Sequence, residues 1–356
     1  MNPLLGVLFH WLGGLAAGSF YAPYRQVRRW SWETYWLAGG LFSWILAPWV
    51  FSLLLVPGTP EILMGATAKD LGWPYFFGLM WGIGGLTFGL TMRYLGISLG
   101  MAVALGLCAI SGTLVPPIHA GTFMDEIVGT DGGRIVLLGL AVCVLGIALA
   151  GIAGVSKERE ISTSGEQVTV KEFNLRKGLL VSVVAGLMSA CMAFGFSAGG
   201  GIQALAASAG TDPLWRGLPV LIVILAGGFT TNCVWCLLLN RKNRTGSEYL
   251  GRSADGGSAP LLRNWIFCAL AGTLWYFQFF FYSMGESQMG EYGFSSWTMH
   301  MASIIFFSTL WGIALKEWKG TSRRTKALLA GGLALLVFST MIVGYGNYVA
   351  ATPAGH

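Results

Sequence analysis

Two imidazoles stand inside long apolar stretches of this 356-residue chain, His10 near its start and His300 near its end. Ionisable side chains are expensive in hydrocarbon, so those that persist there are functional candidates. An imidazole, with an ordinary pKa of about 6.5, is the side chain best suited to exchange protons near neutral pH. No Asp, Glu, Lys or Arg falls deep in any apolar stretch; Glu33, Arg93 and Glu286 sit at the edges. His10 and His300 are therefore the first candidates for carrying a proton. Glu33 and Glu286 are the second, and would have to reach inward after a helix kink or rotation. The non-functional alternative for each imidazole is a neutral ring bonded to a backbone carbonyl.

A second group lies in the run Trp275-Tyr276-Phe277-Gln278-Phe279-Phe280-Phe281-Tyr282. At helical spacing Trp275, Gln278 and Tyr282 share one face. An indole offers the apolar face of a sugar ring a stacking surface, while amide and phenol groups bond its hydroxyls. Asn232, Thr87 and Thr91 are further hydrogen-bonding groups within apolar segments. Packing against lipid or a neighbouring helix is the competing explanation for all of them.

Little else in the chain could do chemistry. There is no HExxH, no GxSxG and no pair of carboxylates within an apolar segment, and the glycines at 199–201 lack the lysine of a phosphate-binding loop. Cys233 and Cys236 have CxxC spacing, but Val, Trp and Leu surround them, so no metal site and no cofactor is expected. The reading is of a protein that is not an enzyme. A net charge of +6 points to no nucleic-acid partner, because the basic residues occupy short loops beside apolar segments.

Those candidates need elements to hold them. Apolar segments run approximately over 4–24, 34–56, 73–92, 94–117, 135–154, 178–198, 214–239, 264–285, 296–315 and 327–350. About 20 apolar residues suffice for a helix to cross the hydrocarbon core. All but three of the 22 Lys and Arg (Lys69, Arg134 and Arg216) follow the odd-numbered segments. Positive loops stay in the cytoplasm. The expectation is an all-α polytopic membrane protein with ten transmembrane helices and both termini outside the cytoplasm, which in a bacterial inner membrane is the periplasm. Arg25, Arg28 and Arg29 follow the first segment rather than precede it, which suits a retained span and not a cleaved signal. The charged connection after the fifth segment divides the chain into two five-helix repeats of inverted orientation, 1–155 and 178–356, joined by a cytoplasmic linker at 156–177. Transporters use such pairs for alternating access around a midplane site. Gly14 with Gly18, and Gly96 with Gly100 and Ala104, form stripes that favour close helix contact. Trp30, Trp32 and Trp36, beside three Arg, suit the membrane interface.

Longer blocks carry a resemblance. SFYAPYRQVRRWSWETYW (19–36), MWGIGG and GLTMRYLGISLG (80–85 and 89–100), EFNLRKGL (172–179), WYFQFFFY (275–282), WTMHM (297–301) and LKEW (315–318) resemble the bacterial L-rhamnose–proton symporter family, within the drug/metabolite transporter superfamily. The resemblance implies ten helices in two inverted halves and proton-driven import of L-rhamnose or a relative such as L-lyxose. His10, Asn232, Trp275, Gln278, Tyr282 and His300 fall at positions matching the family pattern. Enteric members carry two Asn where this chain has Gly85 and Thr87, in a helix that lines the central cavity of the superfamily. An exporter or exchanger of another small metabolite is the alternative within transport. A sugar-sensing receptor is the alternative outside it, and no soluble signalling domain supports it.

Overall fold

The computed structural model describes residues 2–95, 97–163, 174–253, 256–316 and 318–351. Long helices account for nearly all of them, and among the described residues the only extended pairing is an isolated bridge between Arg252 and Ser258. The long helices are α1 (Pro3–Ser19), α2 (Trp32–Leu55), α3 (Ala68–Leu95), α4 (Ile97–Ala120) and α5 (Asp131–Thr163). They continue with α6 (Leu175–Ala198), α7 (Leu218–Asn243), α8 (Leu261–Gln288), α9 (Ser296–Ala314) and α10 (Arg323–Ala351). Nine stretches among the described residues are long and apolar enough to cross a membrane. The 28-residue α3 lies outside that set but packs between α6 and α7.

Local chemistry sets several ends. Asn2 caps α1, its side-chain oxygen accepting from the Leu5 amide at 3.3 Å, and Asn174 caps α6 through the Lys177 amide at 3.0 Å. Within α2, a wide π turn over Leu41–Leu46 separates two α-helical arms. Leucines such as Leu54, Leu138, Leu180 and Leu238 are exposed on the outer surface. In water such a belt would be a liability, whereas against lipid it is the expected surface, because every backbone polar group is already satisfied inside a helix.

The bundle is built from a few extensive pairings: α5 with α10, α3 with α6 and α7, α1 with α8 and α9, α4 with α5 and α6, and α2 with α7 and α8. Small residues allow the closest approaches. A Cβ on Gly14 would collide with the main chain of Ser303 on α9.

The helix α5 runs beyond the apolar stretch 135–154 and through the first part of the expected linker, ending at Thr163. Its overhang is held to α10: Glu160 accepts from the Ser322 amide at 2.6 Å, Ser322 Oγ at 2.7 Å and Thr325 Oγ1 at 2.6 Å. Those bonds pull the Glu160 carboxyl down to about 2. Residues 164–173 of the expected linker, and Gly96 of the fourth-segment stripe, lie outside the described residues. Residues Asn240–Pro260, a Gly/Ser-rich connection in the sequence, carry a short helical turn over Gly246–Leu250 that docks on the chain before α2.

Candidate substrate site

A cavity of about 940 Å³ opens among α1, α2, α3, α4, α6, α7, α8 and α9. Indole rings form much of its wall, from Trp36, Trp44, Trp81, Trp275 and Trp297. Trp275 stands edge-on to Trp36, centroids 5.4 Å apart, and to Phe20 at 3.9 Å. The polar groups between these rings are Asn232, Gln278 and Ser189. Exposed Tyr21, Arg25, Gln26 and Leu315 mark the mouth.

The hydrogen-bond inventory of the wall is specific. Trp36 Nε1 donates to Asn232 Oδ1 at 3.0 Å, and Asn232 Nδ2 donates to the Gly228 carbonyl at 2.9 Å. Asn232 is thus fixed in orientation with one N–H and one lone pair to spare. Trp275 Nε1 is buried with no partner, so its indole meets the cavity through its ring and not through its N–H. Trp297 Nε1 is already used, donating to the Cys108 carbonyl at 3.1 Å.

Behind the wall, away from the mouth, both imidazoles lie in a closed and tightly packed compartment, the histidine chamber. His10 and His300 are each 0% exposed, with ring centroids 6.2 Å apart. Tyr282 lies 5.6 Å from the first ring and 5.3 Å from the second. None of the four ring nitrogens makes a hydrogen bond. The main chain around them is tied instead: Ser303 Oγ lies 2.9 Å from the His10 carbonyl and 2.8 Å from the His300 carbonyl, its single hydrogen shared between them. Gly285 makes room for this arrangement, since a Cβ there would come within 2.6 Å of His10 Cε1. Trp297 connects the two compartments, lining the cavity while its ring lies 5.5 Å from Tyr282 and 6.2 Å from His300.

Of the residues singled out in the sequence, Trp275, Gln278 and Asn232 line the cavity together. Tyr282 does not; it is buried against Phe196, Trp297 and the two imidazoles. Thr87 turns back on its own helix, donating to the Ile83 carbonyl at 2.9 Å and approaching that of Gly84 at 3.1 Å, while its neighbours Gly85 and Phe88 line the cavity. Glu33 is engaged elsewhere, accepting from Asn243 Nδ2 at 2.8 Å and Thr245 Oγ1 at 3.0 Å. Glu286 lies one turn beyond Tyr282, next to the Gly290–Ser295 turn. Sequence reasoning missed Trp44, Trp81 and Ser189, and assigned Trp36 to the membrane interface. The available signal was the position of Trp44 and Trp81 well inside their apolar segments, where no interfacial belt explains an indole. Cys233 and Cys236 are free, and no cluster of three metal-ligating side chains occurs among the described residues.

Comparison with known proteins decides the family. Residues 2–350 match the family described as L-rhamnose-proton symport protein (RhaT). The chain belongs to that family. Proteins named L-rhamnose-proton symporter from Citrobacter koseri, at 39% identity, and from Salmonella paratyphi A and Salmonella gallinarum, at 40%, are similar to it. Each similarity covers 96% of this chain and 97% of the relative. Membership in a transport family agrees with a water-accessible cavity surrounded by candidate membrane spans.

Proposed function

We propose that this protein imports L-rhamnose together with a proton, binding the sugar among Trp36, Trp275, Gln278 and Asn232. The family carries the identity of the substrate. The observation that carries the mechanism is the adjacency of an open indole-and-amide cavity to a closed chamber of two unpartnered imidazoles, joined through Trp297. The indole faces suit the apolar face of a deoxyhexose, and the side-chain amides of Asn232 and Gln278 suit its hydroxyls. A proton entering the chamber is shared by His10 and His300, with Tyr282 beside both. Glu286, one turn further along α8, is the second candidate for that proton.

We read the architecture as ten spans in two inverted five-helix repeats, residues 1–155 and 178–356, with both termini periplasmic. The packing supports this: advancing each helix by five turns the α1–α8 contact into α6–α3, α1–α9 into α6–α4, and α2–α8 into α7–α3. The same shift maps α2–α7 and α5–α10 onto themselves. The mouth of the cavity carries Arg25 and Gln26, so the positive-inside rule makes this an inward-open state. Alternating access then rocks one repeat against the other and transfers the opening to the histidine side.

The deciding experiment uses lightly buffered membrane vesicles containing the protein. Adding L-rhamnose should draw protons inward with the sugar. L-rhamnose entry without proton movement would remove the coupling, and proton-linked movement of some other solute only would remove the substrate.

A further inference from the structure

We infer that the crevice between the ends of α9 and α10 is a binding site for one anionic phospholipid. The crevice encloses about 380 Å³. Its floor is apolar, from Ile313 on α9 and Leu329 and Leu333 on α10. Lys316, Lys319 and Lys326 border it, contributing chiefly their hydrocarbon stems to its wall. All three lysines are exposed, and none makes an ion pair among the described residues. Trp318 forms a side wall and is itself fixed, with Lys157 Nζ 4.7 Å above its ring.

Position decides what such a crevice can hold. It sits where the candidate spans Ser296–Ala314 and Arg323–Val349 end, at the boundary between hydrocarbon and water. A soluble anion would satisfy the lysines and leave the apolar floor empty, and a neutral lipid would do the reverse. Only a molecule with an anionic head and an acyl tail satisfies both. Each lysine near a negatively charged headgroup contributes about 1 kcal/mol. Glu160 at the end of α5 does not compete, because it is already engaged by Ser322 and Thr325.

The site shares an element with the transport cavity. At the end of α9, Ile313 lines the crevice while Gly312 and the capping residue Leu315 line the cavity. A lipid bound on one side of that end therefore restrains the helix that borders the other.

The test is native mass spectrometry on the purified full-length protein, titrated with phosphatidylglycerol or phosphatidylcholine of matched chains. One phosphatidylglycerol should bind in clear preference to phosphatidylcholine. The triple variant Lys316→Gln, Lys319→Gln, Lys326→Gln should bind it roughly a hundredfold more weakly, about fivefold per lysine. A control with Arg241, Lys242 and Arg252 changed to Gln should bind as the unmodified protein does. Equal retention by the triple variant, or equal affinity for the two lipids, overturns the assignment. Displacement of the lipid by glycerol phosphate at similar concentration also overturns it, because the occupant would then be a soluble anion. Should the triple variant fail to fold, Lys326→Gln alone must still weaken binding about fivefold.

Discussion

The indole cavity and the histidine chamber share α8, α9 and Trp297, yet treat their polar groups in opposite ways. In the cavity, Asn232 is half satisfied by protein and half left for a ligand, and the space is open to water. In the chamber, four imidazole nitrogens are sealed away without a single partner. A buried polar group without a partner costs about 1–3 kcal/mol, so the chamber holds a deficit that the cavity does not. The cavity therefore keeps spare hydrogen-bonding capacity as it stands. The chamber is completed only by a proton, by water or by a rearrangement that opens it.

Removing both imidazoles should have the largest effect. The double variant His10→Gln, His300→Gln retains hydrogen-bonding side chains but no group that titrates near neutral pH. It should lose uphill accumulation of L-rhamnose altogether while still binding the sugar, as measured by uptake and by calorimetry on one preparation. Normal accumulation with normal pH dependence would shift the proton to Glu286.

Removing the cavity amide comes next. Gln278→Ala should weaken sugar binding roughly ten- to hundredfold, the range expected when a hydroxyl loses its partner. Unchanged binding here and in Trp275→Ala would take α8 out of the sugar site.

Gly285→Ala separates the compartments from the chamber side. Its methyl group must displace the His10 ring. The overpacking should cost about 1–3 kcal/mol of stability, and sugar-coupled proton uptake should fall while sugar affinity is little altered. Equal loss of both would mean that the two compartments are not separable.

Trp36→Phe is subtler. The ring face stays, but Asn232 loses the donor that orients it, and one neutral hydrogen bond is worth about 1 kcal/mol. About fivefold weaker binding is expected, with coupling intact.

The smallest effect lies at the α5 overhang. Glu160 is held at about 2, below its ordinary value, by donors on α10. A depressed carboxyl contributes stability that is fully present above its unfolded pKa of about 4.3 and is lost as pH falls towards 2. Thermal stability should therefore fall more steeply below pH 4 in the unmodified protein than in Glu160→Gln. Identical pH profiles would show that the contact is inert.

Much of this was legible in the sequence, for identifiable reasons. The polar residues Asn232 and Gln278 stood out because hydrocarbon tolerates few of them, and both reached the cavity. Tyr282 shares their helical face but went to the other compartment. Seven residues from Trp275 amount to about 10 Å along the axis, and periodicity reports direction around a helix rather than depth along it. Trp36 was hidden because an indole near a basic cluster resembles an interfacial anchor, while its partner Asn232 is 196 residues away. The end of α5 was missed because charged residues terminate an apolar segment without terminating a helix. The lysines and glutamates beyond residue 156 are good helix formers.

The joints between the loop before α2 and the second half of the chain have a consequence for the cell's electrolyte. Ser31 donates to Glu248 through its amide at 2.7 Å and its hydroxyl at 2.8 Å, Asn243 and Thr245 donate to Glu33, and Asn264 exchanges two bonds with the Arg28 backbone. Arg263 reaches only uncharged oxygens of Gln26. Every one of these bonds has an uncharged partner, and Glu33 and Glu248 are themselves buried. Mobile ions screen interactions between exposed charges over about 8–10 Å and do little to hydrogen bonds with an uncharged partner. With this side facing the cytoplasm, as proposed above, a rise in internal potassium under osmotic stress would leave these joints nearly untouched.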